Sequence, residues 1–107
     1  MQDAEISAKW LALLSDEDKI LRRIVEVSFK EPVLRGLFPY ASHSELHFSR
    51  KTTYPFDRGM PYVWVNSFGE FQARDGDNSI LERGSLEFVV SVVAARMSQV
   101  LRDANQK

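Results

Sequence analysis

The chain contains stretches in which apolar residues recur every three or four positions, and this spacing predicts amphipathic helices. The last predicted helix has the most regular stripe: Leu86, Val90, Val93, Met97 and Val100. Ser15 is predicted to cap the second helix, because a serine hydroxyl can accept hydrogen bonds from the free amides of a first helical turn. The predicted helices span about 4–14, 16–30, 33–37 and 85–103.

Strands are predicted where polar and apolar residues alternate or where β-forming residues cluster. In the second predicted strand Tyr62 and Trp64 share one face, and Val63 and Val65 share the other. The sequence leaves the register open, so either pair could face the core. The connection 66–69 is predicted to be a hairpin turn. The predicted strands span about 45–50, 61–66 and 70–74.

The elements therefore run as helices, then strands, then a helix, an order typical of α+β folds. We predict N-terminal helices, a three-stranded antiparallel sheet and a long C-terminal helix packed on one face. Ile80 and Leu81 predict only a brief extended or helical segment. A chain of 107 residues has the size of one domain, so residues 1–107 are predicted to form a single α+β domain.

The composition is that of a globular protein, since 44% of the residues are hydrophobic and 27% are charged. The net charge of −1 argues against a nucleic-acid-binding protein, which usually carries a basic surplus. The absence of cysteine excludes disulfides, thiolate metal sites and cysteine nucleophiles. The chain begins without a secretory signal pattern, and its most apolar stretch, 88–95, is too short to cross a membrane. We therefore expect a cytoplasmic protein with no membrane partner.

Candidate chemistry lies in residues 38–56, which hold both histidines. His43, His47 and Arg50 could serve as acid, base and phosphate clamp, as in a small metal-free phosphodiesterase or ribonuclease. The competing interpretation is that His43 bonds to the turn backbone and His47 lies on an exposed sheet face. Two histidines are too few for a metal site, and glycine-rich phosphate loops are absent. We therefore expect no catalytic residue, no metal and no cofactor.

Aromatic side chains accompany arginines in the same region, a composition typical of protein-interface hot spots. If the valines of the second strand face the helices, Tyr62 and Trp64 lie on the opposite face. Basic residues beside aromatics also occur on platforms for single-stranded nucleic acid, but the net charge argues against that partner. The predicted partner-binding residues are Tyr40, His43, His47, Arg50, Tyr54, Tyr62 and Trp64.

The same region carries a motif that resembles one of an uncharacterised bacterial family. Its pattern is roughly L-[FY]-P-[FY]-x-S-H-x-x-L-x-F-S-R-x-T-x-Y-P. The residues that carry the resemblance are 37–40, 42–43, 46–50 and 53–55. Members are often labelled "natural product biosynthesis protein", so the resemblance implies a biosynthetic setting and assigns no catalytic residue.

The small size, the incomplete catalytic sets and the aromatic, arginine-rich middle favour a non-enzymatic protein-binding module. More specifically, we expect an immunity-type protein that neutralises a cognate bacterial toxin domain. One alternative is an accessory or small-molecule-binding protein of a natural-product biosynthetic cluster. The other is the small phosphodiesterase that uses the two histidines and Arg50.

Overall fold

The computed structural model describes residues 3–105 and has the mixed α+β composition that the sequence predicts. Residues 1, 2, 106 and 107 of the predicted domain lie outside the described part. In chain order the elements are α1 (Ala4–Leu14), α2 (Lys19–Phe29), α3 (Pro32–Arg35), β1 (Phe38–Ser42), β2 (Glu45–Ser49), β3 (Tyr62–Val65), β4 (Phe71–Arg74), β5 (Ile80–Gly84) and α4 (Leu86–Asn105).

The strands form a five-stranded antiparallel sheet in the order β1-β2-β3-β4-β5, so each strand pairs with its neighbours along the chain. The prediction of a three-stranded sheet was wrong. The three predicted strands correspond to β2, β3 and β4, and β1 and β5 extend the sheet at its two edges. A strand shows alternating polar and apolar residues when one of its faces is buried along its whole length. β1 is exposed over its second half and β5 over most of its length, so neither strand shows this alternation.

The sequence signals at β1 are also unusual for a strand. Pro39 argues against a strand in the middle of a sheet, but an edge strand such as β1 tolerates proline because it has a row of amides with no neighbouring strand to pair with. The turn between β1 and β2 is formed by His43 and Ser44, whose φ angles are 33° and 64°. Two-residue turns with both φ angles positive usually contain Asn-Gly. The hairpin therefore lacks the turn residues by which it could be recognised.

The second helix begins later than predicted, because Asp18 and not Ser15 is its N-cap. The Asp18 carboxylate accepts hydrogen bonds from the amides of Ile20 and Leu21, at 2.9 and 3.1 Å. A carboxylate also interacts favourably with the positive end of the helix. Ser15 instead ends α1, where its hydroxyl donates to the Leu11 carbonyl.

The helices cover one face of the sheet, and the hydrophobic core lies between the two layers. The sheet contributes Leu46, Phe48, Val63, Val65 and Ala73, and α4 contributes Val89, Val90, Val93 and Met97. The valines of β3 thus face the helices, which answers the question that the sequence left open. Tyr62 and Trp64 lie on the face turned away from the helices.

Trp10 connects α1 to this core. Its side chain is fully buried, with ring centroids 5.4 Å from Phe29 and 6.2 Å from Phe48. The indole N–H donates to the Leu37 carbonyl at 2.9 Å. This bond satisfies a buried donor and fixes the segment that leads into β1.

The β1–β2 turn leads to the first prediction. Left-handed backbone costs a non-glycine residue about 1 kcal/mol or more. The double variant His43→Asn/Ser44→Gly should therefore raise the free energy of unfolding by about 1 kcal/mol, as measured by urea denaturation. The variant His43→Ala/Ser44→Ala keeps the backbone cost and should show no gain. An Asn-Gly variant no more stable than the Ala-Ala variant would contradict this account of the turn.

Candidate functional site

The sheet face turned away from the helices, which we call the outer face, carries a row of stacked aromatic rings. Within this row Phe56 stacks on Phe38, with ring centroids 5.4 Å apart, and on Tyr40 at 4.6 Å. Tyr40 stacks on His47 at 5.1 Å, and His47 stacks on Tyr62 at 4.4 Å. Interplanar angles of 14° to 23° show that all four contacts are close to parallel. The rings therefore form one continuous stack that runs from β1 across β2 to β3.

Strand register explains why the middle of the stack forms. Tyr40 of β1 is directly opposite His47 of β2, and side chains opposite each other in an antiparallel pair point to the same face. Tyr62 of β3 is the next residue across the sheet, because Glu45 is paired with Trp64 two positions away on each strand. Period-two alternation thus places the three rings side by side.

His47 is enclosed by its neighbours. A tyrosine ring covers each of its faces, and its Nε2 atom lies 2.6 Å from the Glu45 Oε1 atom, within hydrogen-bond distance. Tyr40 is held at its far end, where the hydroxyl donates to the Asp57 carbonyl at 3.2 Å. Burial raises the pKa of Tyr40, and the nearby Asp57 carboxylate raises it further, although the charge of Arg58 opposes them.

Phe56 comes from the loop 50–61, which folds back over the edge of the outer face. The buried Ser49 hydroxyl accepts hydrogen bonds from the amides of Lys51 and Asp57, both at 3.0 Å. The Asp57 Oδ2 atom accepts from the amide of Arg50 at 2.7 Å and from its guanidinium Nε at 3.2 Å. These bonds attach both ends of an eight-residue span to the last residue of β2 and place Phe56 against Tyr40.

The pKa of Asp57 reflects these contacts. Burial, which leaves 10% of the side chain exposed, acts to raise the pKa. The hydrogen bonds from the Arg50 amide and guanidinium, with the positive charges of Arg50 and Lys51, outweigh burial and hold the pKa below its usual value. Asp57 is therefore a stabilising carboxylate as long as it is ionised.

The end of the same loop is packed against the β4–β5 turn. A β-carbon added at Gly76 would lie 2.0 Å from the Gly59 carbonyl oxygen, so only glycine allows these two backbones to meet. Nearby, the Tyr62 hydroxyl donates to Asn78 Oδ1 at 2.8 Å. The β4–β5 turn thus holds the end of the loop and the Tyr62 end of the stack, while the end of β2 holds the start of the loop.

Beside the stack, a second group on the outer face consists of Trp64 and its cationic neighbours. The Arg74 guanidinium lies 4.1 Å from the centroid of the Trp64 ring, in cation–π contact. Arg74 also donates to Gln72 Oε1 at 3.0 Å. Arg83 of β5 pairs with Gln72 and extends this group toward the sheet edge.

The predicted partner-binding residues therefore fall into different settings. Tyr40, His47 and Tyr62 meet in one stack, but Tyr62 is only 4% exposed and supports the surface from within. Two others, Arg50 and Tyr54, are 53% and 78% exposed and join the stack through Asp57 and Phe56.

Trp64 and His43 complete the predicted set. Trp64 is half-buried beside Glu45 and Arg74 on the outer face. His43 lies apart from the other predicted residues, exposed in the β1–β2 turn.

Sequence reasoning left Phe56, Asp57 and Arg74 out of the predicted set. The Tyr54-Pro55-Phe56 run was a usable signal for Phe56, since a third aromatic beside a turn proline has to pack somewhere. For Asp57 there was no comparable signal, because its role depends on Ser49 and Arg50 meeting it across the loop.

The three residues of the phosphodiesterase alternative, His43, His47 and Arg50, do not converge on one point. Arg50 is bonded to Asp57, His47 lies within the stack, and the turn that holds His43 is roughly 10 Å along the hairpin from His47. Within residues 3–105, no three His, Cys, Asp or Glu side chains are placed to hold a metal ion. None of the described helices is long and apolar enough to cross a membrane.

Comparison with known proteins places the chain in a family. The model of a family of unknown function, DUF6193, matches residues 4–107. The chain belongs to this family. No curated protein and no solved structure matches it. The family membership agrees with the resemblance to an uncharacterised family, whereas the motif and the biosynthetic label remain predictions.

The lowered pKa of Asp57 leads to the second prediction. A carboxyl whose pKa is lower in the folded state stabilises the fold fully above its unfolded pKa of about 4, and this stabilisation is lost as pH falls through the folded value. Asp57→Asn should therefore lower the free energy of unfolding by about 1 kcal/mol at pH 7. The deficit should shrink as pH falls below about 4, in urea unfolding measured at a series of pH values.

Arg50→Ala is the matched control for this experiment. It removes the guanidinium but keeps the backbone amide that donates at 2.7 Å, so its loss at pH 7 should be smaller than that of Asp57→Asn. A deficit of Asp57→Asn that stays constant from neutral to acid pH would show that its charge does not stabilise the loop.

Proposed function

We propose that this protein is a non-enzymatic protein-binding module and that its outer face is the binding surface. The observation that carries the proposal is the continuous ring stack, because it holds exposed groups in place before any partner arrives. Tyr54 rests edge-on against Phe56, and Arg50 is bonded to Asp57. Groups that are ordered in advance lose little conformational entropy on binding, which favours affinity.

The charge of the outer face indicates the kind of protein surface that it would bind. Its cationic side chains are Arg50, Lys51, Arg58, Arg74 and Arg83. Lys51 and Arg58 belong here because their charges act on Asp57 and Tyr40, respectively. The carboxylates at this face are Glu45, Asp57 and, at its rim, Glu70. The cations outnumber the acids although the whole chain has a net charge of −1, so the face favours an acidic partner surface.

Single-stranded nucleic acid would also be attracted by cations, but it binds by stacking its bases on free aromatic faces. Here the faces of Tyr40 and His47 are occupied by other rings, and the Trp64 ring is covered by Arg74. Tyr54 is the large aromatic side chain on this face that is mostly exposed. These contacts support a protein partner over a nucleic acid.

We further propose that the partner is a bacterial toxin domain, which the chain would neutralise as an immunity-type protein in the cytoplasm. Small size, a rigid recognition face and no complete catalytic set support this interpretation. The phosphodiesterase alternative has less support, because it needs His43, His47 and Arg50 to converge on one substrate. The small-molecule alternative has a separate observation in its favour, a cleft at the end of the sheet.

The third prediction concerns the outer face. Tyr54→Ala/Arg58→Glu changes two exposed side chains of this face and keeps the stack. In affinity capture from a nuclease-treated host lysate, wild-type protein should retain a specific protein that the variant loses. The purified partner should bind wild-type protein with submicromolar affinity, and the variant should bind at least about 100-fold more weakly, because hot-spot losses are typically 2 kcal/mol or more.

The control is Leu11→Ala/Arg102→Glu, which changes one exposed apolar residue and one exposed arginine on the helical side. It should retain the partner. The toxin assignment requires that the partner alone stops host growth and that co-expressed wild-type chain restores it. Retention of the same partner by the outer-face variant, or its loss from the helical-side control, would contradict the proposed surface.

A further inference from the structure

A cleft of about 400 Å³ opens at the end of the sheet, where the helical layer stops short of the hairpin turns. Its apolar lining comes from Ala41 and Val65 on the sheet and from Ile20, Leu21 and Ile24 on α2. Its rim is polar and is formed by the cap of α2 and by the β1–β2 and β3–β4 turns. Apolar clefts of this size with a few polar groups at the rim are typical of small-molecule sites.

The exposure of the lining shows that the fold leaves this corner of the core unfilled. Ile20 lies on the same helical stripe as Ile24, which is 1% exposed, yet Ile20 itself is 52% exposed. Ala41 is opposite the buried Leu46 and so points to the core face, but it is exposed as well. Both layers thus keep apolar side chains uncovered where they line the same cleft. A ligand with an apolar body would cover both.

The rim shows which charge the ligand should carry. Asp18 provides a carboxylate at the α2 side of the rim, whereas the Glu45 side chain is turned to the outer face beside His47. No lysine or arginine among residues 3–105 lines the cleft. The Asp18 carboxylate uses one oxygen, Oδ1, for the α2 amides, and its second oxygen accepts no hydrogen bond from residues 3–105. An anion would be repelled by this charge, and the positive end of α2 is already capped by Asp18.

We propose that this cleft binds a small organic amine with an apolar body. The body would lie on Ile20, Ala41 and Val65, and the ammonium group would donate to the free oxygen of Asp18. A positively charged head beside a carboxylate in a partly enclosed site gains a charge-assisted hydrogen bond. This site is separate from the proposed protein-binding surface and does not depend on it.

The test compares tryptamine, indole-3-propionate and 3-methylindole, which share an aromatic body and differ in charge. In ¹⁵N–¹H correlation spectra, tryptamine should shift the amides of residues 18–24, 41–45 and 65–69. Indole-3-propionate should bind at least about tenfold more weakly. Asp18→Asn keeps a good N-cap but removes the charge, so it should weaken tryptamine about five- to tenfold and leave 3-methylindole unchanged.

Two further variants make the result decisive. Ala41→Leu should fill the cleft and abolish the shifts from all three probes, whereas Glu87→Gln, an exposed carboxyl on α4, should change nothing. Cleft amides that do not shift with any probe at about 10 mM would overturn the site. Equal affinity for the amine and the carboxylate, or an unchanged tryptamine affinity in Asp18→Asn, would overturn the choice of an amine.

Discussion

The hydrogen bonds between the end of β2 and Asp57 determine what the outer face presents. The Ser49 hydroxyl accepts from two loop amides, and Asp57 accepts from Arg50. Each hydrogen bond of this kind contributes about 0.5–1.5 kcal/mol, and together these bonds hold the loop 50–61 to one path. That path brings Phe56 onto Tyr40 and completes the stack. Without it, the faces of Tyr40 and Phe38 that Phe56 covers would be open to solvent.

The side chains on the two faces of the sheet are therefore held in different ways. The face toward the helices is packed with aliphatic side chains and holds the fold together. The outer face buries its aromatic rings against one another and surrounds them with arginines and Tyr54. Because the rings support each other, the exposed groups can be polar and charged without losing their positions. In the function that we propose, the outer face serves recognition while the helical side maintains stability.

Local patterns predicted most of the elements but not the edges of the sheet or the assembly of the site. Helical periodicity and strand alternation located α1, α4 and the three central strands, because each buries one face along its length. β1 and β5 were not predicted as strands because they are partly exposed and because His43-Ser44 is not a recognisable hairpin turn. Ile20 has the helical spacing of a core residue relative to the buried Ile24, yet it is exposed because it borders the cleft at the end of the sheet, a tertiary feature that the spacing does not show. The contacts of Asp57 in the loop are also tertiary, so no periodic pattern in the sequence predicts them.

The central claim, that the stack is already formed in the free protein, can be tested most directly by nuclear Overhauser effects between aromatic ring protons. The structure predicts cross-peaks from the His47 ring to both Tyr40 and Tyr62, and from Phe56 to Tyr40, without any added partner. The absence of the Phe56–Tyr40 cross-peak, with the loop amides of Lys51 and Asp57 exchanging as fast as unprotected ones, would contradict it.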